Sequence, residues 1–239
     1  MTYWTIALAV PLFIYAGCGG LFRASLNSPW RARWQQPEAV VRALTIPPGS
    51  HVADLGAGGG YFTFRLADAV GPLGKVYAVD VNKGNLDYIA RRAKEQGYTN
   101  VEVILAEYDD PSLPEGEVDL IFTCNTYHHL ENHAAYFASA ARYLRPGGRV
   151  AILDLAGMNW LFRLLGHWTP KETIRNEMET GGYQLVNDFG FLSRQNFQVF
   201  ALSPPQTKRL ATQPYSGSQL SLPQFRAINP LSGGGDEPS

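Results

Sequence analysis

The sequence has few cysteines, little charge and no excess of basic residues. Only two of its 239 residues are cysteine, so it shows neither a disulfide framework nor a cysteine-based metal site. Charged residues make up 17% of the chain and the formal net charge is −1, which argues against a nucleic-acid partner. Hydrophobic residues make up 45% of the chain, enough for the packed core of one large domain.

Charge is also missing from the N-terminus, where residues 1–22 contain no charged side chain. A helix of this length would span roughly 30 Å, about the hydrocarbon thickness of a bilayer. No Lys or Arg precedes the stretch, whereas Arg23, Arg31 and Arg33 follow it. This pattern predicts an uncleaved transmembrane or signal-anchor helix with a cytoplasmic domain behind it. An exported lipoprotein, suggested by "YAGC", a cleaved signal peptide and a buried soluble helix are the alternatives.

After a polar juxtamembrane linker at 23–36, predicted strands and helices alternate over residues 37–202. Apolar runs such as "HVADL", "KVYAVDV" and "VDLIFTC" predict strands, and "LDYIARRAKEQG" predicts a helix between them. The alternation predicts an α/β fold with a doubly wound, mostly parallel, seven-stranded sheet. A short connection precedes the last strand, which is expected to be antiparallel. The tail at 203–239 is rich in Pro, Ser and Gly and is expected to be disordered.

The glycine-rich segment "VADLGAGGGYF" follows the first predicted strand, where doubly wound sheets bind ligands. A dinucleotide loop needs a small third residue, but Tyr61 occupies that position, which argues against a nicotinamide-dependent oxidoreductase. Asp54, just before Gly56, would repel a pyrophosphate and attract a cationic group. Asp80 ends the second predicted strand, where a carboxylate can hold ribose hydroxyls. These features predict a nucleoside ligand that carries an amino-acid arm.

With these features, residues 37–202 resemble the class I S-adenosylmethionine-dependent methyltransferases. The resemblance rests on four segments in order: "VADLGAGGGYFT", "VYAVDVN", "LAEYDDPSLPEGEVDLIF" and "YLRPGGRVAILD". It implies a Rossmann-like methyltransferase fold and S-adenosyl-L-methionine as the cofactor. The cofactor-binding residues implied by the resemblance are Asp54, Gly56, Gly58, Gly60, Asp80, Val81, Glu107, Tyr108 and Asn125. At Glu107 the sequence departs from the family, which often has Asp near the adenine.

The candidates for proton transfer lie in "CNTYHHLENH", after the fourth predicted strand, which borders the reactive methyl group in this family. Methyl transfer gains much of its rate from orientation, and a base is needed only when the acceptor must lose a proton. The predicted catalytic residues are Tyr127, His128 and His129, although histidines at this place in the family often only line the pocket. His129 and His133 have the spacing of a metal-binding pair, but no third ligand is evident and no metal site is predicted.

The methyl acceptor is predicted to be small and lipophilic. The predicted anchor and the apolar segment "WLFRLLGHW" at 160–168 both favour a quinone precursor, a lipid or an isoprenoid. The fourth predicted strand ends without the two prolines typical of DNA and amide methyltransferases. Two alternatives remain open: a methyltransferase of a soluble metabolite, and a membrane-tethered protein that binds the cofactor or assists assembly without catalysis.

Overall fold

The structure is a computed structural model that describes residues 29–156 and 168–204. Its helices and strands are α1 (Pro29–Gln35), α2 (Pro37–Ala43), β1 (His51–Leu55), α3 (Thr63–Val70), β2 (Lys75–Asp80), α4 (Lys83–Gln96), β3 (Val101–Leu105), β4 (Val118–Cys124), α5 (His133–Ala140), β5 (Leu144–Leu155), α6 (Lys171–Thr180), β6 (Tyr183–Phe189) and β7 (Gln195–Leu202). Short 3₁₀ turns at Tyr127–His129 and Ala141–Tyr143 flank α5.

The strands form one seven-stranded sheet in the order β3-β2-β1-β4-β5-β7-β6. Parallel pairing joins β1 to β2 and β4, β2 to β3, and β4 to β5, whereas β7 is antiparallel to both β5 and β6. This confirms the predicted doubly wound, mostly parallel sheet with an antiparallel last strand. The strand order reverses between β1 and β4, so their carboxyl ends border the crevice where such sheets bind ligands.

The apolar core covers both faces of the sheet. In β4, Ile121 packs in one cluster with Phe137 of α5, whereas Phe122 packs in another with Leu66 of α3. All four side chains are fully buried. The burial of each stabilises the folded state by roughly 1.5–3 kcal/mol. Because neighbouring side chains of a strand point to opposite faces, the near-continuous apolar sequence of β4 follows from helices on both sides of it.

The turn from β2 into α4 places polar groups at the crevice. Asn82 caps α4, because its Oδ1 accepts hydrogen bonds from the backbone N–H groups of Gly84, at 2.9 Å, and Asn85, at 3.3 Å. The helix ends at Gly97, whose φ of +76° is favourable for glycine. Since the cap begins α4 directly after β2, Asp80 is held at the carboxyl edge of the sheet.

The linker predicted at 23–36 needs correction, because helix α1 lies within it. Gln35 at the end of α1 is fully buried, and its Nε2 donates to Cys124 Sγ at 3.1 Å. The helix therefore packs against the carboxyl end of β4 and belongs to the folded domain. The polar sequence of this stretch suggested a solvated linker, because the long-range contact of Gln35 has no local signature.

Three further predictions lie mostly or wholly outside the described residues: the N-terminal membrane helix at 1–22, the apolar segment 160–168 except for Trp168, and the tail beyond Pro204. Within 29–156 and 168–204, no helix is both long enough and apolar enough to cross a bilayer.

Candidate functional site

Two adjoining cavities open at the carboxyl ends of β1 and β4. Their volumes are about 400 Å³ and about 160 Å³, and they are called here the larger and the smaller cavity. Both are lined by Gly56, Gly58, Asn125 and Thr126. The shared lining makes them two parts of one elongated site, whose size suits a small molecule.

The three alternating glycines after β1 differ in what their missing side chains allow. All have positive φ, at +76° for Gly56, +54° for Gly58 and +76° for Gly60. A Cβ on Gly56 would lie 2.1 Å from Thr126 Oγ1, and one on Gly60 would lie 2.9 Å from a ring carbon of Phe64. A Cβ on Gly58 would meet only the carbonyl oxygen of Gly56, at 4.0 Å. Gly58 is therefore the glycine that leaves room for a ligand.

Gly60 requires a correction to the predicted cofactor site. It is not among the described residues that line either cavity. Its hydrogen atom instead allows the Phe64 ring of α3 and the Ile89 side chain of α4 to pack against the loop. We therefore assign Gly60 a packing role, in agreement with the close approach that glycine permits.

Asp80 supports the glycine loop and also faces the larger cavity. Its Oδ2 accepts from the Gly58 backbone N–H at 2.8 Å and from Asn85 Nδ2 at 3.2 Å, and its Oδ1 accepts from the Asn82 backbone N–H at 2.8 Å. An ionised carboxylate offers about four lone-pair sites. These three bonds leave room for one strong hydrogen bond to a ligand.

The smaller cavity is lined by groups of opposite charge, Asp54 and Arg31. Asp54 is only 3% exposed, and its Oδ2 accepts from Thr63 Oγ1 at 2.6 Å. Burial is the main cause that raises the pKa of Asp54 to about 6. The Asp80 charge contributes to this rise, and the Thr63 hydrogen bond and the Arg31 charge partly offset it. A cationic ligand group would lower the pKa of this carboxyl again, because it stabilises the ionised form.

The end of β4 turns sharply into the site. Asn125 has a φ of +55°, a left-handed conformation that Asn adopts more readily than most residues. Its backbone N–H donates to the Leu153 carbonyl at 2.8 Å, and its Oδ1 accepts from Gln195 Nε2 at 2.7 Å. Burial raises the pKa of the adjacent Cys124 thiol to about 12, so Cys124 stays protonated at neutral pH.

Tyr127, predicted to be catalytic, belongs to the core. It is fully buried, and its hydroxyl donates to Glu177 Oε2 at 2.6 Å. Burial raises the Tyr127 pKa far above its ordinary value, and the hydrogen bond to Glu177 raises it further. The described lining of neither cavity includes Tyr127. Its role is therefore corrected to a structural one, which joins the 3₁₀ turn to α6.

The two neighbouring histidines have different surroundings. Their ring centroids lie 4.1 Å apart, but His129 lines the larger cavity and is exposed, whereas His128 is absent from the described lining of that cavity. His128 Nδ1 lies 2.8 Å from Asp154 Oδ1, with side-chain exposures of 5% and 0%. The carboxylate holds the His128 ring in one orientation. Of the two, His129 is the one that a ligand in the larger cavity can contact.

His133 is occupied in packing. Its ring stacks on Tyr127 with 4.1 Å between centroids, and its Nε2 lies 2.9 Å from the Tyr127 carbonyl oxygen. The structure, over the residues it describes, contains no cluster of three or more His, Cys, Asp or Glu side chains suited to a metal ion.

The remaining predicted residues Val81, Glu107 and Tyr108 all line the larger cavity. Sequence reasoning missed several lining residues, namely Arg31, Asn85, Cys124, Thr126, Leu130 and Tyr136. Thr126 and Leu130 could have been found from their position in the segment after β4. Arg31 carries no such signal, because it lies on a helix before the glycine-rich segment.

Residues 46–199, more than half of the chain, match the family described as "Methyltransferase domain". The chain belongs to this family and is a member of the class I S-adenosylmethionine-dependent methyltransferases. S-adenosyl-L-methionine, the cofactor predicted from the sequence, is the cofactor of that class.

Two curated relatives and one solved structure illustrate the likeness. Nocamycin O-methyltransferase of Saccharothrix syringae is 33% identical over 105 residues, covering 44% of this chain and 38% of the relative. The ubiquinone/menaquinone biosynthesis C-methyltransferase UbiE of Burkholderia mallei is 26% identical over 136 residues, covering 57% of this chain and 53% of the relative. A SAM dependent methyltransferase from Aquifex aeolicus aligns with a TM-score of 0.70 at 24% identity, covering 77% of this chain and 98% of that chain.

The matched region thus spans about half or less of these two curated relatives, and the likeness to the Aquifex aeolicus structure shows the fold.

Proposed function

We propose that the protein transfers a methyl group from S-adenosylmethionine to a small, lipophilic acceptor. The observation that carries this proposal is the arrangement of the elongated site. The space beside the Gly58 backbone is open, Asp54 lines the smaller cavity, and Asp80 lines the larger one. S-adenosylmethionine presents an ammonium group at one end, a ribose diol towards the other and a sulfonium between them. When bound, it supplies an electrophilic methyl group with a neutral thioether as the leaving group.

In this proposal the two carboxylates fix the ends of the cofactor. Asp54 accepts a hydrogen bond from the ammonium group, which stabilises the ionised carboxylate that burial disfavours. Asp80 accepts one from a ribose hydroxyl while its other bonds hold the glycine loop. Val81, Glu107 and Tyr108 line the adenosine end.

The contribution of this chain to the chemistry is mainly orientation. Displacement at the methyl carbon requires the acceptor atom, the methyl group and the sulfur to lie in line, and such positioning can be worth about 7–11 kcal/mol. Gly56, Asn125 and Thr126 lie where the two cavities meet and would border the reacting centre. Cys124 beside them stays protonated and so does not compete as a nucleophile. His129 can take a proton from an acceptor that must lose one.

An aromatic cluster beside α1, in which Phe191 is exposed, supports a lipophilic acceptor. The rings of Phe189, Phe191 and Phe197 contact one another at 4.7 to 6.0 Å between centroids. Phe191 is 39% exposed, and its carbonyl oxygen accepts from Gln36 Nε2 at 3.4 Å, next to α1. Gln195 begins β7 between Phe191 and Phe197, and its Nε2 donates to Asn125 Oδ1 of the site at 2.7 Å. The name of the relative from Burkholderia mallei, in ubiquinone/menaquinone biosynthesis, points the same way.

The test is incubation of the purified full chain with S-adenosylmethionine labelled in the methyl group. A membrane lipid extract and a polar metabolite extract from the same cells are offered separately. We expect labelled product from the lipid extract, and none from a Gly58→Ala variant, whose new methyl group enters the space left for the ligand. Label from the polar extract alone would favour a soluble acceptor. Cofactor binding with no transfer to either extract would favour the non-catalytic alternative.

A further inference from the structure

Arg31 lies on α1, before the region that matches the methyltransferase family, which begins at residue 46. Of the described residues that line the two cavities, Arg31 is the only Arg or Lys. It lines the smaller cavity together with Asp54, Gly56 and Cys124. Helix α1 thus adds a cation to a site whose other parts come mostly from the carboxyl ends of β1, β2 and β4 and from the segments after β1, β2, β3 and β4.

The Arg31 guanidinium is held in place by its neighbours. Its Nε donates to Gln35 Oε1 at 2.5 Å, its Nη2 donates to Cys124 Sγ at 3.8 Å, and its central carbon lies 4.1 Å from the centroid of the Tyr61 ring. Gln35 is itself fully buried and bonded to Cys124. These contacts orient the guanidinium before a ligand binds, which lowers the entropic cost of binding.

The smaller cavity therefore offers a carboxylate and a guanidinium to the same ligand. Its volume of about 160 Å³ is enough for an amino-acid head group, whose ammonium and carboxylate have the complementary charges. Asp54 can bind an ammonium group but repels a carboxylate. A guanidinium binds a carboxylate with two parallel hydrogen bonds when the geometry allows.

We propose that Arg31 binds the α-carboxylate of the methionine arm of S-adenosylmethionine, while Asp54 binds its ammonium group. Arg31 then makes the site selective for cofactors that carry an intact amino acid. This inference rests on the proposed function, because it places that cofactor in the site. It also makes α1 part of the cofactor site, although α1 lies outside the family match.

The experiment compares two ligands on three proteins by isothermal titration calorimetry. The ligands are S-adenosylhomocysteine and its decarboxylated analogue, which keeps the ammonium group and lacks the carboxylate. The proteins are the full wild-type chain, Arg31→Gln and Arg33→Gln; Arg33 is the matched control, because it lies on the same helix and is exposed. We expect Arg31→Gln to weaken S-adenosylhomocysteine binding about 10- to 100-fold, the range for a hydrogen bond between charged groups.

The same substitution should leave the affinity for the decarboxylated analogue within about twofold of wild type, and Arg33→Gln should change neither affinity. Retained binding of the analogue also shows that Arg31→Gln is folded. An equal loss for both ligands, or no loss for either, would overturn the inference. Unchanged S-adenosylhomocysteine binding with a raised KM for the acceptor would assign Arg31 to the acceptor instead. If S-adenosylhomocysteine fails to bind the wild-type chain, the proposed function itself falls.

Discussion

Among single residues, a comparison of Gly58 with Gly97 distinguishes the loss of ligand space from the cost of backbone strain. Both have positive φ, and a Cβ on either meets no atom closer than 4.0 Å. Gly58 lines both cavities, whereas Gly97 ends α4 and lines neither. An alanine at either position costs roughly 1–2 kcal/mol of stability, because L residues resist the left-handed conformation.

We expect Gly58→Ala to weaken S-adenosylhomocysteine binding at least tenfold, because its methyl group enters the ligand space. Gly97→Ala should bind normally with a similar loss of stability. Calorimetric titration gives the affinities, and urea denaturation gives the free energies of unfolding. Normal binding by Gly58→Ala would mean that the glycine loop is only a turn.

The buried Asp54 predicts a pH dependence of cofactor binding. Its pKa is about 6 in the free protein, and a bound ammonium group lowers that value, so binding below pH 6 releases a proton. The affinity for S-adenosylhomocysteine should therefore be constant above about pH 7 and fall about tenfold per pH unit below pH 6.

Titrations between about pH 5 and pH 8 on wild type and Asp54→Asn test this pH dependence. The variant should bind more weakly at neutral pH and show no such slope, because its amide does not titrate in this range. A slope shared by both proteins would assign the proton to another group.

At the scale of elements, the 3₁₀ turn Tyr127–His129 is joined to α6 by the Tyr127–Glu177 hydrogen bond. Tyr127→Phe removes that bond and keeps the ring that stacks on His133 and Phe137. We expect a loss of about 1.5–3 kcal/mol in the free energy of unfolding, the range for a hydrogen bond to a charged group, measured by urea denaturation. The kcat for methyl transfer and its pH profile should stay unchanged, because the hydroxyl faces the core.

The His129→Gln variant, on the same turn, should have the opposite effects to Tyr127→Phe. The His129 side chain is exposed, so the substitution should change the free energy of unfolding little. It should alter the pH profile of kcat for any acceptor that must lose a proton. Tyr127→Phe with normal stability and a much lower kcat would restore a catalytic role to Tyr127.

At the scale of the whole molecule, we propose that residues 1–22 anchor the chain to a membrane and leave the catalytic domain in the cytoplasm. The full chain should then sediment with membranes, and a variant lacking residues 1–28 should remain in the supernatant. The shortened variant keeps α1 and Arg31, so it should bind S-adenosylhomocysteine as the full chain does. Recovery of the full chain in the supernatant would contradict the anchor.

Protease treatment of sealed vesicles of known orientation tests the topology. The domain should be digested only from the cytoplasmic side, where S-adenosylmethionine is available to it. Digestion from the opposite side, or a mature N-terminus at Cys18, would support the exported alternative.

Local sequence patterns were enough to predict the fold class and two acidic residues that line the cavities, Asp54 and Asp80. The segments "HVADL" and "VDLIFTC" coincide with β1 and β4, because a strand covered on both faces needs a short apolar run, which is a local pattern. The same kind of local pattern predicts the positions of Asp54 and Asp80. Asp54 lies one residue before the end of β1 and Asp80 ends β2, so the direction of each strand places its carboxylate.

Which of these local features line the cavities depends on contacts between distant parts of the chain. Gly56, Gly58 and Gly60 look alike in sequence, but their surroundings differ. Gly56 packs against Thr126, Gly60 packs against Phe64, and Gly58 faces open space. The Tyr127 hydroxyl donates to Glu177, which lies 50 residues further along the chain, and this contact gives Tyr127 its structural role. Arg31 reaches the site because Gln35 of the same helix bonds to Cys124, 89 residues away. Such contacts depend on packing between distant segments, and no local pattern records which segments meet.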